Sequence, residues 1–274
     1  MPRAIFTDPL YNQSFLQNGY LVLDLLSKED IAAMKAIFAS VEAQHQYDYV
    51  ASVVLHDLAM RESIHYGLEP IFNKSILPVL DAYKFVLGSF VSKKAASENG
   101  KFPLHQDPTF VEEEEYAALS IWCPLVDVDR HNGCLGILPG SHLLNNTFRT
   151  ASMLPYPELV DIIESGYMEY IPMRAGQVMF MNTRMVHGSP PNLSNNTRPV
   201  AAGVAIPAEQ PLICCYVEET ESTGMTQVFN VANDFYLRHI MRSRPTEGQA
   251  YKTVKRQIEP LTKAKIEGLA NMHY

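Results

Sequence analysis

The alternation of apolar and polar positions divides the chain into three stretches. Tyr20-Leu21-Val22-Leu23 reads as a short strand. Ser27-Lys28-Glu29-Asp30 then has the form of a capping box, a hydroxyl followed three positions later by an acid. Ile31, Met34, Ile37, Phe38 and Val41 follow at helical spacing, and a mostly helical pattern continues to about Leu80. From Tyr83 the pattern changes to short runs rich in β-formers: Tyr83 to Ser92, Ala118 to Val126, Cys134 to Leu138, Met168 to Met173, Gln177 to Asn182, Val200 to Ile206 and Leu212 to Val217. Turn chemistry separates them at Asn132-Gly133, Pro139-Gly140, Ala175-Gly176 and Pro190-Pro191-Asn192. Strands so punctuated predict a β-sandwich or jelly roll. Tyr156 to Glu164 reads as a helical insertion, and Asp234 to about Gly268 as a helical tail interrupted at Arg244-Pro245. With no internal repeat or low-complexity linker, the expectation is one domain over 1–274: a helical part to about 82, a β core over about 83–220 and a helical tail over about 225–274.

Composition narrows the function classes. A chain of 274 residues with 47% hydrophobic and 19% charged residues forms a substantial core without disulfide staples. Thirty acidic against 22 basic residues give a net charge of -8, which argues against nucleic acid and against an anionic membrane surface as partners. Cys123, Cys134, Cys214 and Cys215 form no CxxC pattern and read as reduced core residues of a cytoplasmic protein. Met1 to Leu10 carries one Arg and no apolar run, so no secretory signal is expected, and no apolar stretch approaches the roughly 20 residues of a membrane span. A monomer or a homodimer fits equally well.

The candidate chemistry begins at Leu104-His105-Gln106-Asp107. On a strand alternate side chains share a face, so His105 and Asp107 would point together. His187, in Val186-His187-Gly188-Ser189, offers a third ligand. Two imidazoles and a carboxylate on one face of an octahedral iron leave three positions open, the facial triad of oxygenases. A bidentate 2-oxo acid fills two and dioxygen the third, and decarboxylation of the oxo acid supplies an oxidant able to attack an unactivated C–H bond. By itself the HxD spacing is weakly specific in a chain with nine histidines, and His105 taken alone reads as an ordinary structural histidine. The pattern sharpens after His187: Ser189 lies two positions on and Arg198 eleven (198 − 187 = 11). A guanidinium binds a carboxylate through paired hydrogen bonds, and a seryl hydroxyl can donate to the same group.

These segments together resemble the phytanoyl-CoA dioxygenase family of iron(II)/2-oxoglutarate oxygenases, from about Phe15 to Tyr236. The resemblance is carried by Phe15 to Leu26 with the Ser27 cap, Leu104 to Phe110 (LHQDPTF), Ile121 to Val126 (IWCPLV), Asn132-Gly133-Cys134-Leu135, Leu138-Pro139-Gly140-Ser141-His142, and His187-Gly188-Ser189 with Arg198. It implies a mainly β fold with flanking helices, a double-stranded β-helix (jelly roll, cupin-like). It implies Fe(II) on His105, Asp107 and His187, 2-oxoglutarate held at its distal carboxylate by Arg198 and Ser189, O2 as co-substrate, and Trp122 as an aromatic wall of the co-substrate pocket. Related halogenases replace the carboxylate ligand with a small residue; Asp107 is present, so the resemblance implies hydroxylation or a related C–H oxidation.

The remaining candidates are less determined. Phe110, Arg184 and Lys93 are candidate substrate contacts, set against packing for Phe110 and Tyr116, a surface ion pair for Arg184 and a solvated strand end for Lys93 and Lys94. His142 reads as structural within its Pro-Gly-Ser-His turn, and His45, His56, His65, His131, His239 and His273 have no ligand-like companions. Glu112 to Glu115 reads as a solvated face or part of a lid. The expected substrate is a small molecule, a polar metabolite or natural-product intermediate rather than a CoA thioester. Two other readings stay open: a cupin-like metal-dependent hydrolase or isomerase, and a non-catalytic protein that binds metal or 2-oxoglutarate.

Overall fold

The computed structural model describes residues 3–42, 47–145, 148–151, 156–217, 225–255 and 258–271; His45 and His273 lie outside them. The chain runs α1 (Pro9–Asn18), β1 (Tyr20–Asp24), α2 (Lys28–Glu42), β2 (Tyr49–Ala51), α3 (Leu58–Ile71), β3 (Tyr83–Lys93), β4 (Phe102–His105), β5 (Leu119–Pro124) and β6 (Leu135–Ile137). It continues α4 (Val160–Gly166), β7 (Glu169–Ile171), β8 (Gln177–Asn182), β9 (His187–Ser189), β10 (Arg198–Pro207), β11 (Leu212–Tyr216), β12 (Met225–Val231), α5 (Phe235–Arg238), β13 (Lys252–Lys255) and α6 (Lys263–Asn271).

Local chemistry sets the helix starts. Asp8 accepts from Leu10 N at 2.8 Å, with Pro9 in the first turn, to open α1. The capping box at α2 forms as read: Ser27 Oγ accepts from Asp30 N and Asp30 Oδ2 accepts from Ser27 N, at 3.1 and 3.2 Å. Asp57 accepts from Met60 N at 3.0 Å to open α3. Gly19 ends α1 at φ 76°, where a Cβ would also lie 2.4 Å from the His142 ring.

All strand pairs are antiparallel, in a six-stranded sheet ordered β1-β8-β5-β10-β3-β2, a four-stranded sheet ordered β4-β9-β6-β7 and a three-stranded sheet ordered β11-β12-β13. Strand alternation assigns the faces of the large sheet. Val178 and Phe180 of β8 and Leu119, Ile121 and Cys123 of β5 pack with Phe15, Met34, Phe38, Ile64 and Leu68 of the helices. Met179, Met181 and Trp122 take the other face, packing with Leu135, Ile137 and Ile171 of the four-stranded sheet. Two facing antiparallel sheets with helices outside make a double-stranded β-helix, or jelly roll. Each fully buried aromatic between layers, such as Phe72, Phe90 and Phe180, contributes about 1.5–3 kcal/mol.

The expected helical tail is a mixture. Among the described residues only Phe235–Arg238 and Lys263–Asn271 are helical there, and the tail also contains β13. The alternating run at β12, unrecognised as a strand in the sequence, pairs with both β11 and β13. Pro245 and Pro260 interrupt the run of helix-formers. All four cysteines are buried and free, and among the described residues no helix is long and apolar enough to cross a membrane.

Candidate metal centre and its cavity

The β4–β9 pair of the four-stranded sheet and the segment just after β4 bring His105, Asp107 and His187 together. Their ligand atoms all lie within 4.8 Å of one another. Asp107 Oδ1 is 3.7 Å from His105 Nε2 and 4.0 Å from His187 Nε2, and the imidazole centroids are 4.1 Å apart. His105 and His187 are register partners across β4 and β9. Gly188 permits that pairing, since a Cβ there would come within 2.9 Å of Phe102 O. One sequence expectation is corrected: β4 ends at His105, so Asp107 lies beyond the strand, where its N–H donates to Thr183 O at 3.1 Å.

The surroundings suit these three side chains to holding a metal ion. His105 Nδ1 lies 3.0 Å from Pro103 O and His187 Nδ1 3.0 Å from Met185 O. With Nδ1–H donating to carbonyl oxygens, each Nε2 turns a lone pair toward the shared centre. Burial, aided by nearby His105, pushes His187 down to about 4, which keeps its imidazole neutral and able to ligate. For Asp107, burial raises the pKa, but His187, His105 and the Ser120 hydroxyl together hold it well below the usual carboxylate range. Ser120 Oγ donates to Asp107 Oδ2.

A cavity of about 180 Å³ opens beside these three residues. Arg198, Ser189, Trp122 and Phe110 all line it. Arg198 is buried, and among the described residues its Nε and Nη1 have no hydrogen-bond partner. Its guanidinium sits 5.5 Å from the Trp122 ring. Burial lowers its pKa to about 10, so it remains a cation at neutral pH. An unpaired buried guanidinium is costly, and a carboxylate is the group that would satisfy it. The donor set and this cation therefore fit a metal with a chelating dianion.

Two candidates lie elsewhere. Arg184 lines no part of the cavity; its Nη2 donates to Leu144 O at 2.6 Å. Lys93 is a register partner of Arg198, but its Nζ donates to the carbonyls of Ser189, at 3.0 Å, and Pro190. Burial, together with the charge of Arg198, pushes Lys93 down to about 6. The acidic run lines no part of the cavity either. Glu112 meets Tyr251 and Lys252, Glu114 and Glu115 are exposed, and Glu113 forms a buried two-pronged pair with Arg149 at 2.6 and 2.7 Å. Arg149 in turn donates through Nε to Asp107 O at 2.9 Å. His142 is structural: its Nε2 lies 3.2 Å from Leu16 O.

The sequence reading missed Ser120, Tyr49, Met241 and the Glu113–Arg149 pair. Ser120 was within reach, because it shares a strand face with Trp122. Tyr49 and Met241 come from distant segments with no motif and line the same cavity.

Fold and site together define a jelly-roll protein with a two-histidine, one-carboxylate centre beside a buried arginine. The family model for Phytanoyl-CoA dioxygenase (PhyH) matches residues 15–200, and the chain belongs to that family. Among curated proteins it is similar to the peroxisomal phytanoyl-CoA dioxygenase of Mus musculus, 23% identical over 216 residues, which cover 66% of this chain and 63% of the mouse protein. The phytanoyl-CoA dioxygenase domain-containing protein 1 of Danio rerio is 30% identical over 126 residues, covering 42% of each chain. The chain thus spans less than two thirds of the length of these relatives. Among solved structures it resembles the non-heme alpha ketoglutarate dependent carbocyclase SnoK from nogalamycin biosynthesis, with TM-score 0.59, 18% identity and coverage of 90% of this chain and 96% of that one. HygX from Streptomyces hygroscopicus, solved with nickel and 2-oxoglutarate, gives TM-score 0.54 at 14% identity, covering 74% of this chain and 88% of that one. These structural likenesses bear on the fold.

Proposed function

We propose that the chain is an Fe(II)/2-oxoglutarate-dependent oxygenase that hydroxylates, or otherwise oxidises, a C–H bond of a small molecule. The observation that carries this reading is the buried, unpaired guanidinium of Arg198 in the same cavity as the three clustered ligands. A hydrolase or isomerase using those ligands would have no use for it. Family membership, and neighbours that depend on alpha ketoglutarate or were solved with 2-oxoglutarate bound, support the same choice.

In this reading His105, Asp107 and His187 would hold the iron, and the bound iron and oxo acid would supply, from one O2, an oxidant for an unactivated C–H bond, one oxygen atom going to the oxidant and the other to the succinate that leaves with CO2 when one 2-oxoglutarate is consumed. Arg198 pairs with the distal carboxylate of 2-oxoglutarate, with Ser189 beside it. Trp122 walls that region and stacks near the guanidinium, keeping water from the ion pair. Ser120 fixes the Asp107 carboxylate so that only one oxygen faces the metal position. Arg149, anchored by Glu113, grips the backbone that carries Asp107.

Conversion of 2-oxoglutarate to succinate tests the proposal. With Fe(II) and O2 present, even slow turnover without substrate should yield succinate, and Arg198→Met should reduce it at least tenfold. Metal-loaded protein that never consumes 2-oxoglutarate, or activity persisting without O2 and 2-oxoglutarate, contradicts it.

A further inference from the structure

The cavity has a long axis that the strand register makes explicit. Across β2, β3 and β10, Tyr49 pairs with Lys93 and Lys93 with Arg198. Six residues further along β10, Val204 pairs with Leu87 on one side and Ser120 on the other, at about 3.3 Å per residue. The facing segment runs the same way. Phe102 stacks on Tyr49 at 4.7 Å and pairs with Ser189; His105 follows, then Asp107 beside Ser120, then Phe110. The metal ligands therefore divide the cavity. On one side lie Arg198, Ser189 and Tyr49. On the other lie Leu87, Val204, Phe110, Val53 and Met241.

We propose that this second compartment binds the substrate, and that the substrate is a small, uncharged, hydrocarbon-rich molecule. The inference rests on the function proposed above, which assigns the Arg198 side to 2-oxoglutarate. Among the described residues the second compartment has no lysine, arginine, histidine or free carboxylate in its lining. The Ser120 hydroxyl is committed to Asp107, and the Ser89 hydroxyl lies at the inner boundary of the compartment, in register with Ala202 and Trp122. A charged substrate group placed there would lose its hydration with no counter-charge. The two basic residues expected from the sequence to meet substrate, Arg184 and Lys93, are both committed to backbone carbonyls outside this compartment. Of the two substrate kinds expected from the sequence, the lining disfavours a polar metabolite and suits an apolar natural-product intermediate. A CoA thioester would find no cation here for its phosphates. The predicted selectivity is for charge, with the Ser89 hydroxyl able to meet one neutral polar group.

Trp122 is the chain's single tryptophan and lines the cavity, so its fluorescence reports binding directly. The full chain, loaded with Mn(II) and saturating 2-oxoglutarate, is titrated with cyclohexanol, cyclohexylamine and cyclohexanecarboxylate, which share a ring and differ in charge, and with octanoyl-CoA. The proposal expects cyclohexanol to bind at least about tenfold more tightly than either ion or the thioester. Met241 is partly exposed at the cavity edge, so Met241→Glu should fold; it should weaken cyclohexanol about tenfold and shift preference toward cyclohexylamine. Equal or tighter binding of an ion or of octanoyl-CoA overturns the proposal. So does no response to cyclohexanol in protein whose fluorescence still responds to Mn(II) and 2-oxoglutarate. Absence of that second response instead fails the functional reading beneath it.

Discussion

Ser120 donates its hydroxyl to Oδ2 of Asp107 and so leaves Oδ1 as the oxygen facing both imidazoles, 3.7 Å from His105 Nε2 and 4.0 Å from His187 Nε2. Hydrogen bonds to a ligating carboxylate fix its orientation, and their loss commonly costs about 10–100-fold in metal affinity. Ser120→Ala should therefore weaken Fe(II) or Mn(II) binding about tenfold, measured by competition with a chelator, with the melting temperature of the metal-free protein little changed. Unaltered affinity would leave Ser120 without the orienting role.

Arg198 presents the opposite balance between folding and binding. Its guanidinium is buried with Nε and Nη1 unpaired, so the metal-free, ligand-free protein carries an uncompensated charge. Replacing such a group with an apolar one of similar volume is often neutral or stabilising by about 1–4 kcal/mol. Arg198→Met should melt at the same or a higher temperature than the parent in the absence of ligands. It should also lose the upward shift that Mn(II) plus 2-oxoglutarate gives the parent. A destabilised variant that keeps the shift runs against the assignment.

The acidic run separates into parts with different consequences. The Glu113 side chain is 3% exposed and paired with an equally buried Arg149, whereas Glu114 and Glu115 are exposed. Removing one partner of a buried pair typically costs about 3–5 kcal/mol, while exposed substitutions stay within about 0.5 kcal/mol. Urea denaturation should show a large loss for Glu113→Ala and almost none for Glu114→Ala or Glu115→Ala. Similar values for all three would mean that the run acts as one solvated face.

His65 couples stability to pH. It is buried, accepts a hydrogen bond at Nδ1 from Gly88 N at 3.0 Å and stacks on Phe85 at 5.2 Å. Burial holds its pKa below the usual histidine value. The folded state then binds fewer protons than the unfolded one as pH falls through the ordinary histidine range, near about 6.5. The stability linked to His65 is thus present above that range and is lost on acidification. His65→Gln keeps an acceptor for Gly88 but cannot titrate. Its loss of stability between pH 7 and pH 5 should be smaller than the parent's, measured by urea midpoints; an equal loss excludes His65 as the source.

Much of this architecture was legible because it rests on local rules. The Ser27–Asp30 box, the short apolar run of β8 and the Gly-bearing turns each depend on neighbouring residues. The spacing of His105, Asp107, His187, Ser189 and Arg198 was legible through a motif. What escaped depended on tertiary partners. Lys252–Lys255 became a strand because β12 offered it an edge, although the surrounding composition favours helix. Lys93 looked like a solvated strand end, but its register against Arg198 and the nearby carbonyls of Ser189 and Pro190 make it a buried structural group. The contribution of Met241 to the cavity has no counterpart in any sequence period.

The most direct test of the central claim is an anaerobic titration of the metal-free protein with Fe(II) and 2-oxoglutarate, followed by visible absorption. Chelation of the oxo acid at an iron held by His105, Asp107 and His187 predicts a weak charge-transfer band that saturates at one iron and one 2-oxoglutarate per chain. Asp107→Ala should abolish it, and Arg198→Met should shift it to much higher 2-oxoglutarate concentration. Folded, iron-loaded protein that develops no band at any 2-oxoglutarate concentration contradicts the account.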